Sequence, residues 1–90
     1  MKIYVIGSLT QHREIRLIAS TLNTIDGNDV RFVKRHDELS LDTCIKMCYE
    51  NIEWCDVVYI LRKENGELGN GVTYEKVYAE KCHKEIIFIS

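Results

Sequence analysis

Four short apolar runs divide the chain, and between them apolar positions recur at helical spacing. Ile3-Tyr4-Val5-Ile6, ended by Gly7-Ser8, reads as a fully buried parallel strand. Val30-Arg31-Phe32-Val33 alternates and suits an edge strand, Asp56–Leu61 is a third strand, and Glu85–Ile89 a fourth. From Thr10 to about Asp26, Ile15, Ile18, Ala19, Leu22 and Ile25 mark one face of an amphipathic helix, followed by a turn at Asp26-Gly27-Asn28-Asp29. Ser40 is a good N-cap for a second helix running through Trp54. Arg62 to Gly71 is a polar loop, and it leads into a third helix through Val72, Tyr78 and Cys82.

Strands alternating with helices predict an α/β domain with a parallel sheet and right-handed crossovers. The expected architecture is a small flavodoxin-like or Rossmann-like three-layer domain spanning residues 1–90, with a four-stranded sheet in the order 2-1-3-4. Such sheets bind ligands beyond the carboxyl ends of the strands, where the strand order reverses. Delivered to that edge are Gly7 and Ser8, then Lys34 and Arg35, then Arg62 and Lys63, then Asn70, Gly71 and Tyr74 at the start of the third helix. Basic side chains beside a glycine turn and a helix start suit a ligand carrying phosphate and hydroxyl groups.

Glu75 changes this picture most. At about 100° per residue, the apolar arc of the third helix holds Val72, Tyr74, Val77, Tyr78, Ala79 and Cys82, and Glu75 falls inside it. Thr73, Lys76, Glu80 and His83 take the opposite, solvated face. Asn70 is positioned to cap the helix, whose dipole favours an ionised carboxylate near its start. An acid on a buried face is uncommon without a partner or ligand, although imperfect periodicity also produces one.

Composition narrows the classes. Forty-six per cent hydrophobic and 29% charged residues are those of an ordered globular chain, and a net charge of −2 predicts no affinity for nucleic acid polymers or anionic membranes. No apolar run approaches the roughly 20 residues that span a bilayer, and the N-terminus reads as a strand, so a cytoplasmic protein with reduced thiols is expected. Cys44, Cys48, Cys55 and Cys82 show no Cys-x-x-Cys pairing. The first three share the helix face of Leu41, Ile45 and Ile52, as small buried hydrophobes would. No metal site and no cofactor is expected. The turn at Gly69–Tyr74 has two of the three glycines of a dinucleotide fingerprint, and there is no Walker loop.

Three segments together resemble the nucleoside 2-deoxyribosyltransferase superfamily, including its nucleotide N-glycosidase relatives. They are Lys2–Ser8, Cys55-Asp56-Val57-Val58, and Gly71-Val72-Thr73-Tyr74-Glu75-Lys76-Val77-Tyr78-Ala79. The resemblance implies that Glu75 is the nucleophile that attacks C1′ of the sugar, and that the glycine turn after the first strand lies near the sugar or its phosphate. Two positions depart from the family pattern. Cys48 and Gly69 stand where family members carry aspartates. Glycosidic cleavage commonly uses a second acid besides the nucleophile.

The expected function is therefore binding of a nucleoside- or nucleotide-type ligand, or an ADP-ribose-derived signal, held or sensed without turnover. The alternative is an N-glycosidase or 2-deoxyribosyltransferase using Glu75. The expected partners are this small molecule and, in a homo-oligomer, further copies of the chain.

Overall fold

The computed structural model describes residues 1–32 and 41–89, without the side chains of Leu9, Leu41, Asp42 and Asn70. The elements follow the predicted alternation: β1 (Lys2–Ile6), a short 3-10 turn (Leu9–Gln11), α1 (His12–Asn23), β2 (Asp29–Phe32), α2 (Leu41–Trp54), β3 (Val57–Leu61), α3 (Asn70–Lys81) and β4 (Glu85–Ile89). Val33, Lys34, Arg35 and the Ser40 cap lie outside the described residues. The sheet is parallel throughout, in the order β2-β1-β3-β4.

Register divides the core into two layers. Successive strand residues point to opposite faces. Tyr4 and Ile6 of β1, paired with Val58 and Ile60 of β3, meet Ile52, Cys55, Val72 and Ala79 beneath α2 and α3. Ile3 and Val5 point the other way, with Val57 and Leu61, against Ile15 and Ala19 of α1. Burying an isoleucine completely, as at Ile52 and Ile60, contributes about 1.5–3 kcal/mol. Asp56 fixes where the central strands begin: its Oδ2 accepts the Lys2 N–H at 2.9 Å, and its own N–H donates to the Lys2 carbonyl at 2.8 Å.

The outer strands are less enclosed. Ile87 and Phe88 of β4 are 36% and 37% exposed, so this strand is more open than its apolar sequence implies. The chain turns from α3 into β4 through His83, which takes the left-handed conformation at φ 57°.

Candidate active site

Helix α3 begins at Asn70, and the residue before it, Gly69, is the N-cap in an extended conformation (φ −65°, ψ 158°). The expected Asn70 cap is thus corrected by one position. Gly69 accepts at its carbonyl from both the N–H and the hydroxyl of Thr73, at 3.0 and 3.1 Å. The buried face is also rotated from the sequence expectation. Val72 and Ala79 are buried, Glu75 and Cys82 half-buried, whereas Tyr74 is 72% and Val77 49% exposed. Apolar residues occupy so much of this helix's circumference that arc width alone does not orient it. Contact with the sheet falls to the smaller Val72 and Ala79, which let the helix approach closely, and the Tyr74 ring is left outside.

Glu75 does point inward. Its Oε2 is buried with no hydrogen-bond partner among the described residues. Burial pushes the carboxyl up to about 7, and the Cys48 thiol, offering a hydrogen bond from α2, pulls the other way. The thiol is in turn pushed up to about 12, first by burial and then by the Glu75 charge. Tyr4, reaching this point from β1, is raised well above the usual phenol range by burial, then by Glu75 and Cys48. Asn51 hydrogen-bonds the phenol and works against that rise. Glu75 is five residues beyond Asn70, past the first turn where a helix dipole acts strongly. Desolvation therefore outweighs the dipole, and the expectation of a carboxylate held ionised by the helix start is corrected.

The rim forms where the strand order reverses, between β1 and β3. Ser8 donates its hydroxyl to Gln11 Oε1 at 3.3 Å and shares a 2.8 Å hydrogen bond with Thr10. Gln11 Nε2 donates to the Arg62 carbonyl at 2.9 Å, which straps the loop after β1 to the loop after β3. Gly69 passes so close to Ser8 that a Cβ on it would lie 3.3 Å from the Ser8 Cβ and 3.9 Å from the Lys63 Cε. Ser8, Lys63, Gly69 and the start of α3 are therefore brought together.

Other predicted residues take different places. Arg62 stacks its guanidinium over the Phe88 ring, 4.4 Å from the centroid. Gly7 packs against α1: a Cβ there would meet Ile15 Cδ1 at 2.8 Å. Gly71 faces open space. Lys34, Arg35 and the Asn70 side chain lie outside the described residues. Sequence reasoning left out Tyr4, Asn51 and Gln11, and it assigned Cys48 to a helix face without giving it a task. The available signal was Tyr4 itself, a hydroxyl carried into an otherwise aliphatic buried strand.

Chemically, the chain holds a carboxyl that changes charge near neutral pH, with one oxygen unpaired, on the helix whose start adjoins the polar rim. Two solved structures share this fold. The CMP N-glycosidase BcmB of Clostridium botulinum superposes with a TM-score of 0.74 at 21% identity, over 98% of this chain and 70% of that one. The 2-deoxyribosyltransferase from Leishmania mexicana superposes at 0.70 and 19% identity, over 99% of this chain and 63% of that one. These likenesses establish the fold, which this chain shares with both proteins. No family model and no curated protein matches the chain.

Proposed function

We propose that the protein cleaves the bond between base and sugar of a nucleoside or nucleotide, with Glu75 as nucleophile. The observation that carries this reading is the buried, unpaired Oε2 of Glu75, which α3 aims toward Cys48 of α2 and Tyr4 of β1. A desolvated carboxylate oxygen without donors is a stronger nucleophile than a hydrated one. In the reaction, Glu75 bonds to C1′ as the C1′–N bond breaks, and the base leaves with the bonding pair and takes a proton from water. Water then attacks C1′, releasing the sugar and restoring the carboxylate. A second base in place of water makes the same site a transferase.

The neighbours of like fold act on CMP and on deoxyribosyl compounds, which supports a nucleotide or nucleoside substrate. Lys63 beside Gly69 and Ser8 supplies a cation and backbone amides for a phosphate, and Lys34, Arg35 and Asn70 remain further candidates for the same role. The protein works in the cytoplasm, as an assembly of copies, without a cofactor. Incubation with a panel of nucleosides and nucleoside monophosphates tests the reading: free base is expected, and none from the Glu75→Gln variant.

One observation favours a second reading, a ligand held without turnover. The side chain that meets Glu75 is the Cys48 thiol and not a second carboxylate. Under that reading ligand at 100 times its dissociation constant adds about 2.7 kcal/mol of stability while no base appears.

A further inference from the structure

Which base can leave depends on what surrounds Glu75. Its carboxyl takes a hydrogen bond from the Cys48 thiol of α2, and it acts in turn on that thiol and on the Tyr4 phenol of β1. Tyr4 and Cys48 also hydrogen-bond each other, and Asn51 hydrogen-bonds the phenol. Other acids of these helices stand elsewhere. Glu50 and Glu53 of α2 line an open groove with Lys46, Tyr49 and Tyr78, and Glu80 of α3 pairs with Lys76. Among the described residues, the titratable side chains interacting with Glu75 are therefore a thiol and a phenol, with no second carboxyl and no imidazole. Both are weak acids made weaker. The thiol is pushed up to about 12 by burial and then by the Glu75 charge, and the phenol rises well above its usual range.

A base that is neutral in its nucleoside leaves as an anion unless a proton reaches it. A general acid that delivers this proton contributes on the order of 10²–10⁴-fold in rate. A base that is already cationic needs no such acid. We propose that the substrate is a nucleoside or nucleotide with a pyridinium base, whose positive charge sits on the glycosidic nitrogen itself. This inference rests on the glycosidase reading and narrows its substrate.

The Glu75 carboxylate bonds to C1′, the C1′–N pair returns to the ring nitrogen and cancels its charge, and a neutral pyridine departs with no proton transferred. Water then bonds to C1′, its proton passes to solvent, and the carboxylate is restored. The ring charge also accounts for the unpaired oxygen. Oε2 of Glu75 is buried without a donor, and a cation one bond from C1′ favours its ionised form in a desolvated site.

Nicotinamide mononucleotide, cytidine monophosphate and uridine monophosphate share a ribose 5′-phosphate and differ in the charge of a six-membered base. Base release by the parent is corrected for release without protein. Its kcat/KM should be at least about 100-fold greater for the pyridinium compound than for either other, and release should be lost in Glu75→Gln. Cys48→Asp should narrow the ratio by about tenfold or more, because the neutral base then has an acid to protonate it. A smaller ratio in the parent overturns this inference alone, and so does a ratio that folded Cys48→Asp leaves unchanged. If Cys48→Asp does not fold, the parent ratio decides by itself. No base from any of the three, or nicotinamide release that survives Glu75→Gln, overturns the glycosidase reading and this inference with it.

Discussion

Cys48 of α2 and Glu75 of α3 meet thiol to carboxyl between their helices, and each shifts the other. The Glu75 charge helps push the thiol to about 12, and the thiol keeps the carboxyl from rising beyond about 7. Near neutral pH the thiol therefore stays protonated and serves as a donor, and the carboxyl is the group that changes charge. Burial supplies most of both shifts.

Removing that donor should move the reaction along the pH axis. The nucleophile is the carboxylate, so activity should rise as pH increases through about 7. Cys48→Ala should shift this acidic limb to higher pH while leaving the plateau rate within a few-fold. Cys48→Asp should shift it further, because a like charge disfavours ionisation. A pH–rate profile for base release measures both.

Glu75 should cost stability where it is charged. Its folded pKa of about 7 lies above the ordinary 4.5, so the folded chain binds the extra proton. Stability is then greatest below about 4.5 as far as this group contributes, and it declines as pH rises through about 7. The loss is on the order of 3 kcal/mol when complete. Glu75→Gln should remove this dependence, and denaturation at mildly alkaline pH should find the variant more stable than the parent. A group retained at such a cost is characteristic of a working site.

The strand order and both core layers were legible because each strand keeps one period and each crossover has one allowed hand. Ile3 and Val5 against Tyr4 and Ile6 state the two faces directly. The inward aim of Glu75 was legible for the same reason, since Val72, Glu75, Ala79 and Cys82 share one stripe. Tyr74 was misplaced because helix rotation depends on which side chains let the sheet come close, a tertiary quantity. The raised carboxyl was not legible either, because desolvation depends on Tyr4 and Cys48 arriving from elements distant in the chain. Gly7 was assigned to ligand by its place after β1, and its contact with Ile15 exists only once α1 has packed.

That contact separates two glycines of the rim. Gly7→Ala should destabilise the fold by about 1–3 kcal/mol, because Ile15 and the start of Leu61 would have to move. Gly71→Ala meets nothing within 4 Å and sits inside α3, so it should leave stability unchanged or raise it by up to about 1 kcal/mol. Weaker binding by a stable Gly71→Ala variant would mark close approach of ligand to that backbone. Thermal denaturation and ligand titration together read both outcomes.

Lys63 should distinguish a phosphorylated substrate from a bare nucleoside. Loss of a charged hydrogen bond to phosphate costs roughly 1.5–3 kcal/mol, so Lys63→Ala should raise KM for a nucleoside monophosphate by about tenfold or more. The value for the matching nucleoside should not change, nor should kcat for either. Steady-state kinetics with the two substrates tests this, and equal effects on both would remove phosphate from the role of Lys63.

The most direct measurement is the intact mass of the chain during turnover, trapped by rapid acid quench with a substrate that releases base. A covalent sugar or sugar-phosphate adduct on the peptide containing Glu75 is predicted, absent from Glu75→Gln, which should also release no base. Base release by Glu75→Gln at the parent rate, with no adduct on either protein, would contradict the assignment of Glu75 as nucleophile.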